Sequence, residues 1–179
     1  MALKREIFTH LISFILFFFL IFLIKGYLRI SFFTFWIGGI IGTILPDLDH
    51  LLYVYFARPY ELTSQRVNYE VSKKDFGRAW SLLTETRYER VNLVFHSFLF
   101  QVIFFILTFF VMSSSQNFFG RGLVLAFYLH LLIDQMIDLM KINNLNNWFS
   151  KVNLVLDKSQ ATLYWVLGII SLLFVSLVF

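Results

Sequence analysis

The chain has 179 residues, of which 59% are apolar and 15% charged, with 24 phenylalanines and a net charge of +4. A water-soluble domain of this length cannot bury so much apolar surface, so the composition excludes one and indicates an integral membrane protein. The modest positive charge lies between apolar segments and reads as topology and lipid-surface charge, with no nucleic acid expected, and the absence of cysteine excludes disulfides and thiolate ligands.

The N-terminus places Lys4 and Arg5 before an apolar run, Ile7–Ile24. No small-x-small cleavage site follows the run, so it reads as a retained helix rather than a signal peptide. The second apolar segment is Ile30–Pro46, in which Gly38, Gly39 and Gly42 offer a small face for close helix contact. A polar stretch, 57–92, comes next and is expected to be a partly helical loop. Within it, Ser72–Tyr88 carries Phe76, Trp80 and Leu83 at helical spacing. That pattern suits an amphipathic helix on the membrane surface, or a connector packed on the rest of the protein.

The third segment is expected over Leu93–Met112. The fourth starts at Gly122 and runs to Ile133, with a continuation interrupted by Asp134 and Asp138. It spans only if those carboxylates face protein or water. Asn143–Asn147 reads as a turn, and Trp148 and Phe149 beside Lys151 as an interfacial anchor. The fifth segment is Ser159–Phe179. The chain is therefore expected to be an all-α integral membrane protein, a single transmembrane domain over 1–179 with about five transmembrane helices. The segments are too long and too uniformly apolar for an outer-membrane barrel.

Counting Lys and Arg sets the orientation. With the N-terminus inside, the inner segments hold twelve basic residues, while the outer ones hold only Lys25, Arg29 and Arg121. The positive-inside rule then predicts a multi-pass protein of the inner (plasma) membrane, with the N-terminus and the 57–92 loop cytoplasmic.

Helix alternation brings the polar residues to one side. His10 starts the first helix, Asp47, Asp49 and His50 end the second, His96 starts the third, and His130, Asp134 and Asp138 descend the fourth. His130 and Asp134 are four apart and share a helix face, and Pro46 suits a start or kink that fans out the residues after it. Imidazoles with carboxylates suit one or two divalent ions, Zn²⁺ first and Mn²⁺ or Fe²⁺ next. His10, Asp47, Asp49, His50, His96, His130 and Asp134 are the candidate ligands. Two ions sharing a carboxylate would suit phosphoester hydrolysis. Asp49 or Asp138 would then orient a water, and Arg90, Arg87 or a loop lysine would meet phosphate oxygens. Plainer readings stand beside these. His10 and His50 also suit interfacial packing, the aspartates suit capping or pairing with loop arginines, and His130 with Asp134 suits a buried hydrogen bond.

These motifs carry a resemblance. The early His10, the Gly-rich second helix ending in Pro46-Asp47-Leu48-Asp49-His50, the His96-Ser97 pair and the later His130 and Asp134 resemble a bacterial and archaeal family. That family comprises membrane-bound predicted metal-dependent hydrolases, including the YdjM-type inner membrane proteins, and the likeness covers most of the chain. It implies a membrane-embedded hydrolase, and through a remote similarity to zinc-dependent phospholipase C it implies phosphoester bonds in lipid or lipid-linked substrates. Family members commonly carry His-Arg-Gly-x-Thr-His before the third helix. Here Val91 stands where the first of those histidines would be, so one ligand or general acid of the pattern is missing. A metal-binding scaffold without catalysis is the alternative. A metal or ion transporter fits less well, because the polar groups gather at one side. The sequence does not give the substrate, the metal count or the oligomeric state.

Overall fold

A computed structural model describes residues 2–26, 32–91 and 93–179, with the side chains of residues 2–4 left out. Arg29 and Asn92, used above for topology and for the loop boundary, lie outside the described residues, as do the first residues of the second segment.

The described residues are mostly helical, with no strand among them. Helix α1 spans Ala2–Lys25. Helix α2 spans Phe33–Ile44. It continues through a 3₁₀ turn at Leu45–Asp47, a short helix α3 at Leu48–Leu52 and a π turn at Tyr53–Ala57. The 57–92 region folds into helices α4, Leu62–Ser72, and α5, Phe76–Glu85, then a 3₁₀ turn at Arg87–Glu89. Helix α6 covers Phe98–Ser114 and α7 covers Phe118–Ile142. A short α8, Asn146–Phe149, precedes α9, Lys158–Val178.

The protein is an all-α membrane protein. Four stretches are long and apolar enough to cross a bilayer: Arg5–Lys25, Phe33–Ala57, Phe118–Ile142 and Lys158–Val178. The apolar α6, at 17 residues, sits at the lower end of spanning length.

Helix α7 is the central pillar, packed against α1, α2, α6 and α9 and buried over most of its length. This answers the question raised by its charges: Asp134 and Asp138 face protein rather than lipid. Its contact with α2 is backbone on backbone. A Cβ at Gly38 would collide with the carbonyl of Phe119, one at Gly42 with that of Leu123, and one at Gly122 with that of Phe35. Small residues permit that approach, and it fixes the register of the two helices. Gly39 turns the other way and receives the rings of Phe14 and Phe18 from α1.

Four local expectations change. The second helix does not end at Pro46. Proline at the start of a 3₁₀ turn needs no N–H of its own, so the chain bends and continues helical to Ala57. Helix α6 starts at Phe98 rather than Leu93, because the N–H groups of residues 94–96 turn to the Asp49 carboxylate instead of building a helix. Trp148 is no interfacial anchor. It is 2% exposed and its Nε1 donates to Asp138 Oδ2 at 2.8 Å, while Phe149 stacks on Phe98. Finally, α5 packs against α1 and α4, and its Leu83 joins Val54, Val67 and Ala79 in a small core. Phe76 stays exposed, whereas Trp80 and Leu83 face a cavity.

Candidate metal centre

The α1 N-terminal half, the bend after α2, the turn before α6 and the second half of α7 meet at one end of the bundle. There the Asp134 carboxylate is buried and surrounded by three imidazoles. His96 Nε2 lies 2.8 Å from Oδ2, His130 Nε2 lies 3.3 Å from Oδ2, and His10 Nε2 lies 3.2 Å from Oδ1.

The far nitrogen of each ring fixes its tautomer. His10 Nδ1 lies 2.9 Å from the Glu6 carbonyl, and His130 Nδ1 lies 2.7 Å from the Thr43 carbonyl. A carbonyl oxygen only accepts, so both Nδ1 atoms carry the hydrogen and donate it. A neutral ring then leaves Nε2 as a bare lone pair. Both Nε2 atoms are buried and face the Asp134 carboxylate at ion-pair distance. Two lone pairs aimed at a carboxylate repel unless a cation or a proton lies between them.

The third ring is held by a side chain. Asp49 Oδ2 accepts from His96 Nδ1 at 3.2 Å, from the His96 N–H at 3.2 Å and from the Phe95 N–H at 2.6 Å, while Oδ1 accepts from the Val94 N–H at 3.0 Å. Carboxylate, imidazole and central anion thus form the chain that orients metal-bound histidines elsewhere. Burial alone would lower the pKa of His96, but hydrogen bonds to Asp134 and Asp49 outweigh it and push it up to about 9.

The donor set fits a divalent ion. Ligands about 2.0–2.1 Å from a tetrahedral zinc sit about 3.3 Å from one another; His10 Nε2 lies 3.2 Å from Asp134 Oδ1, and His130 Nε2 lies 3.3 Å from the other oxygen, Oδ2. The ligand atoms of His10, His130 and Asp134 all lie within 4.8 Å of one another. Asp47 is at the margin, half-exposed, with Oδ1 3.7 Å from His130 Nε2.

The other candidates take supporting places. Asp49 has both oxygens engaged in holding the 94–96 turn, so it stands behind His96 rather than on an ion or a water. His50 stacks on His96 with centroids 4.9 Å apart, and its Nδ1 accepts from Arg90 Nε at 3.3 Å. That leaves the hydrogen on Nε2, so in this arrangement His50 offers no free lone pair. Arg90 is buried and held by Thr86, Leu83 and His50. It does not line the main cavity, against the expectation that it meets phosphate. Burial and the nearby charge of Arg87 lower its pKa to about 10. Asp138 accepts from Trp148 and lies 3.2 Å from Arg87 Nε without a hydrogen bond. It too is off the main cavity, and with His50, Arg87, Arg90 and His96 it lines a second space of about 20 Å³ beside the cluster. Val91 is partly exposed and lines no cavity described here.

Arg87 is the residue whose importance the sequence understated. Its Nη1 donates to Asp134 Oδ1 at 2.8 Å, on the wall of the cavity. Burial opposes its charge, but Asp134 and Asp138 outweigh burial and raise its pKa. Two other contributors, the carbonyls of Glu6 and Thr43, left no signal in the sequence, since any residue supplies a carbonyl.

Beside the cluster lies a cavity of about 400 Å³. His10, Asp47, His50, Arg87, His130 and Asp134 line it, with Glu6, Thr43 and Thr84 as further polar neighbours, and Ile7, Leu11, Phe14, Ile40, Ile44, Trp80 and Leu83 supply its apolar lining. Comparison with known proteins finds no matching family model, curated protein or solved structure.

Proposed function

We propose that this protein is a membrane-embedded metal-dependent hydrolase of phosphoester bonds in lipid or lipid-linked substrates. Its ion is Zn²⁺, or Mn²⁺ or Fe²⁺, held by His10, His96, His130 and Asp134, with Asp47 as the outlying ligand. The observation that carries the reading is the convergence of the Nε2 atoms of His10, His96 and His130 on the buried Asp134 carboxylate. The resemblance to the membrane-bound hydrolase family supports it, and the excess of Lys and Arg on the N-terminal side favours the cytoplasmic face of the inner membrane for the site.

A divalent ion in such a site supplies a Lewis acid and lowers the pKa of bound water. The protein's own groups do the rest. Asp49 fixes the His96 ring, and the Glu6 and Thr43 carbonyls fix the other two. Arg87 presents a guanidinium at the cavity wall, suited to phosphate oxygens by its forked donors. Half-exposed Asp47 is placed to accept a proton at the cavity. Val91, where the family's pattern has a histidine, favours the second reading, a metal-binding scaffold without turnover.

Metal analysis of purified protein together with phospholipid hydrolysis tests the proposal. At least one tightly held divalent ion and turnover that disappears in Asp134→Asn are expected. A folded, metal-free preparation would sink both readings, and bound metal without turnover would leave the scaffold.

A further inference from the structure

We propose that the cavity takes a single-chain amphiphile with a phosphate head, whose hydrocarbon chain lies between α1 and α2 and reaches the bilayer sideways. The inference rests on the proposed function only in placing the phosphate at the metal centre.

The shape of the cavity is the first argument. Helices α1 and α2 are pinned together beyond it, where Phe14 and Phe18 lie on Gly39 and against Trp36. Nearer the metal centre the two helices stand apart, with Ile7 and Leu11 on one side of the cavity and Ile40 and Ile44 on the other. Phe14 closes the far end, Trp80 and Leu83 of α5 roof it, and the His/Asp cluster forms the near end.

The second argument is the rim. Ile7, Leu11, Ile40 and Ile44 are 53%, 51%, 52% and 57% exposed, and all four lie on stretches long and apolar enough to cross a membrane. Apolar side chains exposed on such stretches suit contact with lipid chains. A substrate arriving from water would meet an apolar gate, whereas a chain already in the bilayer crosses no barrier of desolvation. At about 400 Å³ the space suits a head group and the upper part of one chain.

The third argument is the mixed lining. Arg87, the imidazoles of His10, His50 and His130, Asp47 and Asp134 line the cavity together with Glu6, which is bonded to Lys141, and the apolar lining comes from Ile7, Leu11, Phe14, Ile40 and Ile44. An amphiphile matches that lining, with its phosphate on Arg87 and the metal centre and its chain among the isoleucines.

The test uses full-length wild-type protein in phosphatidylcholine nanodiscs and a monoacyl glycerol phosphonate, which is not hydrolysed, bearing a diazirine in its chain. Cross-links are expected on Ile7, Leu11, Ile40 and Ile44. Unlabelled monoacyl glycerol phosphonate should compete them away, and inorganic phosphate should not. Ile40→Trp or Ile44→Trp should cut labelling at least about tenfold while the variant keeps its bound metal. Labels spread evenly over outward residues such as Leu16 and Ile103, or displacement by inorganic phosphate alone, would overturn the proposal; competition in the parent protein decides even if both tryptophan variants misfold. Cleft labelling without hydrolysis of the corresponding phosphate would remove the hydrolase and keep this site. Hydrolysis of a water-soluble phosphodiester with diffuse labelling would do the reverse.

Discussion

The Asp49 carboxylate grips His96 twice, accepting from its backbone N–H and from its ring Nδ1, both at 3.2 Å. One side chain thus shapes the turn before α6 and selects which ring nitrogen faces Asp134. Asp49→Asn should loosen both, because the amide turns an NH₂ toward donors that need an acceptor. Metal affinity should fall about 10–100-fold, read by chelator competition. The metal-free protein should lose about 1–3 kcal/mol, read by thermal unfolding. An affinity equal to wild type would return Asp49 to a bystander's role.

The tautomers separate ligands from neighbours. His10→Ala and His130→Ala each remove a bare Nε2 and should abolish stoichiometric metal binding. His50→Ala removes a ring whose Nδ1 is already taken by Arg90 and should retain the ion. Metal content after gel filtration measures all three, and loss of the ion in the His50 variant would put that histidine back among the ligands.

The pH dependence has two opposed parts. His96 is raised to about 9 in the metal-free protein, so its contribution to stability is complete below the unfolded value of 6.5 and is lost as pH climbs to about 9. An ion competes for the same Nε2, so its affinity should rise across that window as the proton leaves. Thermal unfolding of chelator-treated protein and metal titrations over the same range would show stability falling while affinity grows. Parallel curves would rule out His96 as the shared group.

Glycines at the α2–α7 contact are separable from glycines elsewhere on the same helices. Gly42→Ala drives a methyl into the Leu123 carbonyl and should destabilise by about 1–3 kcal/mol, with the metal centre disturbed alongside. In Gly120→Ala the new Cβ meets only Val111 Cγ1 at 3.8 Å, an ordinary contact. That variant should be neutral or stabilising, since alanine favours helix. Detergent unfolding curves would compare the two.

The apolar runs announced the helices, because a bilayer demands length and continuity that composition alone reveals. The convergence of His10, His96, His130 and Asp134 was also legible, since helix alternation brings those positions to one end. Local geometry was not. A reader of the sequence cannot see that Asp49 will spend its oxygens on the 94–96 turn, which delays α6 to Phe98. Nor does Trp148 beside Lys151 betray a buried partner for Asp138. In both cases a hydrogen bond to a residue outside the local segment outweighs the local pattern.

Two of the three imidazoles are oriented by the main chain, through the carbonyls of Glu6 and Thr43. Side chains at those two positions can therefore drift during evolution without turning the rings, while a change in the path of the helix would turn them at once. The Thr43 carbonyl lies just before the 3₁₀ turn at Leu45–Asp47, where Pro46 brings no N–H to the helical ladder. A proline on one helix thereby helps decide which nitrogen of a histidine on another holds its proton. Homologues that keep the bend can keep the chemistry while sharing few of the residues around it.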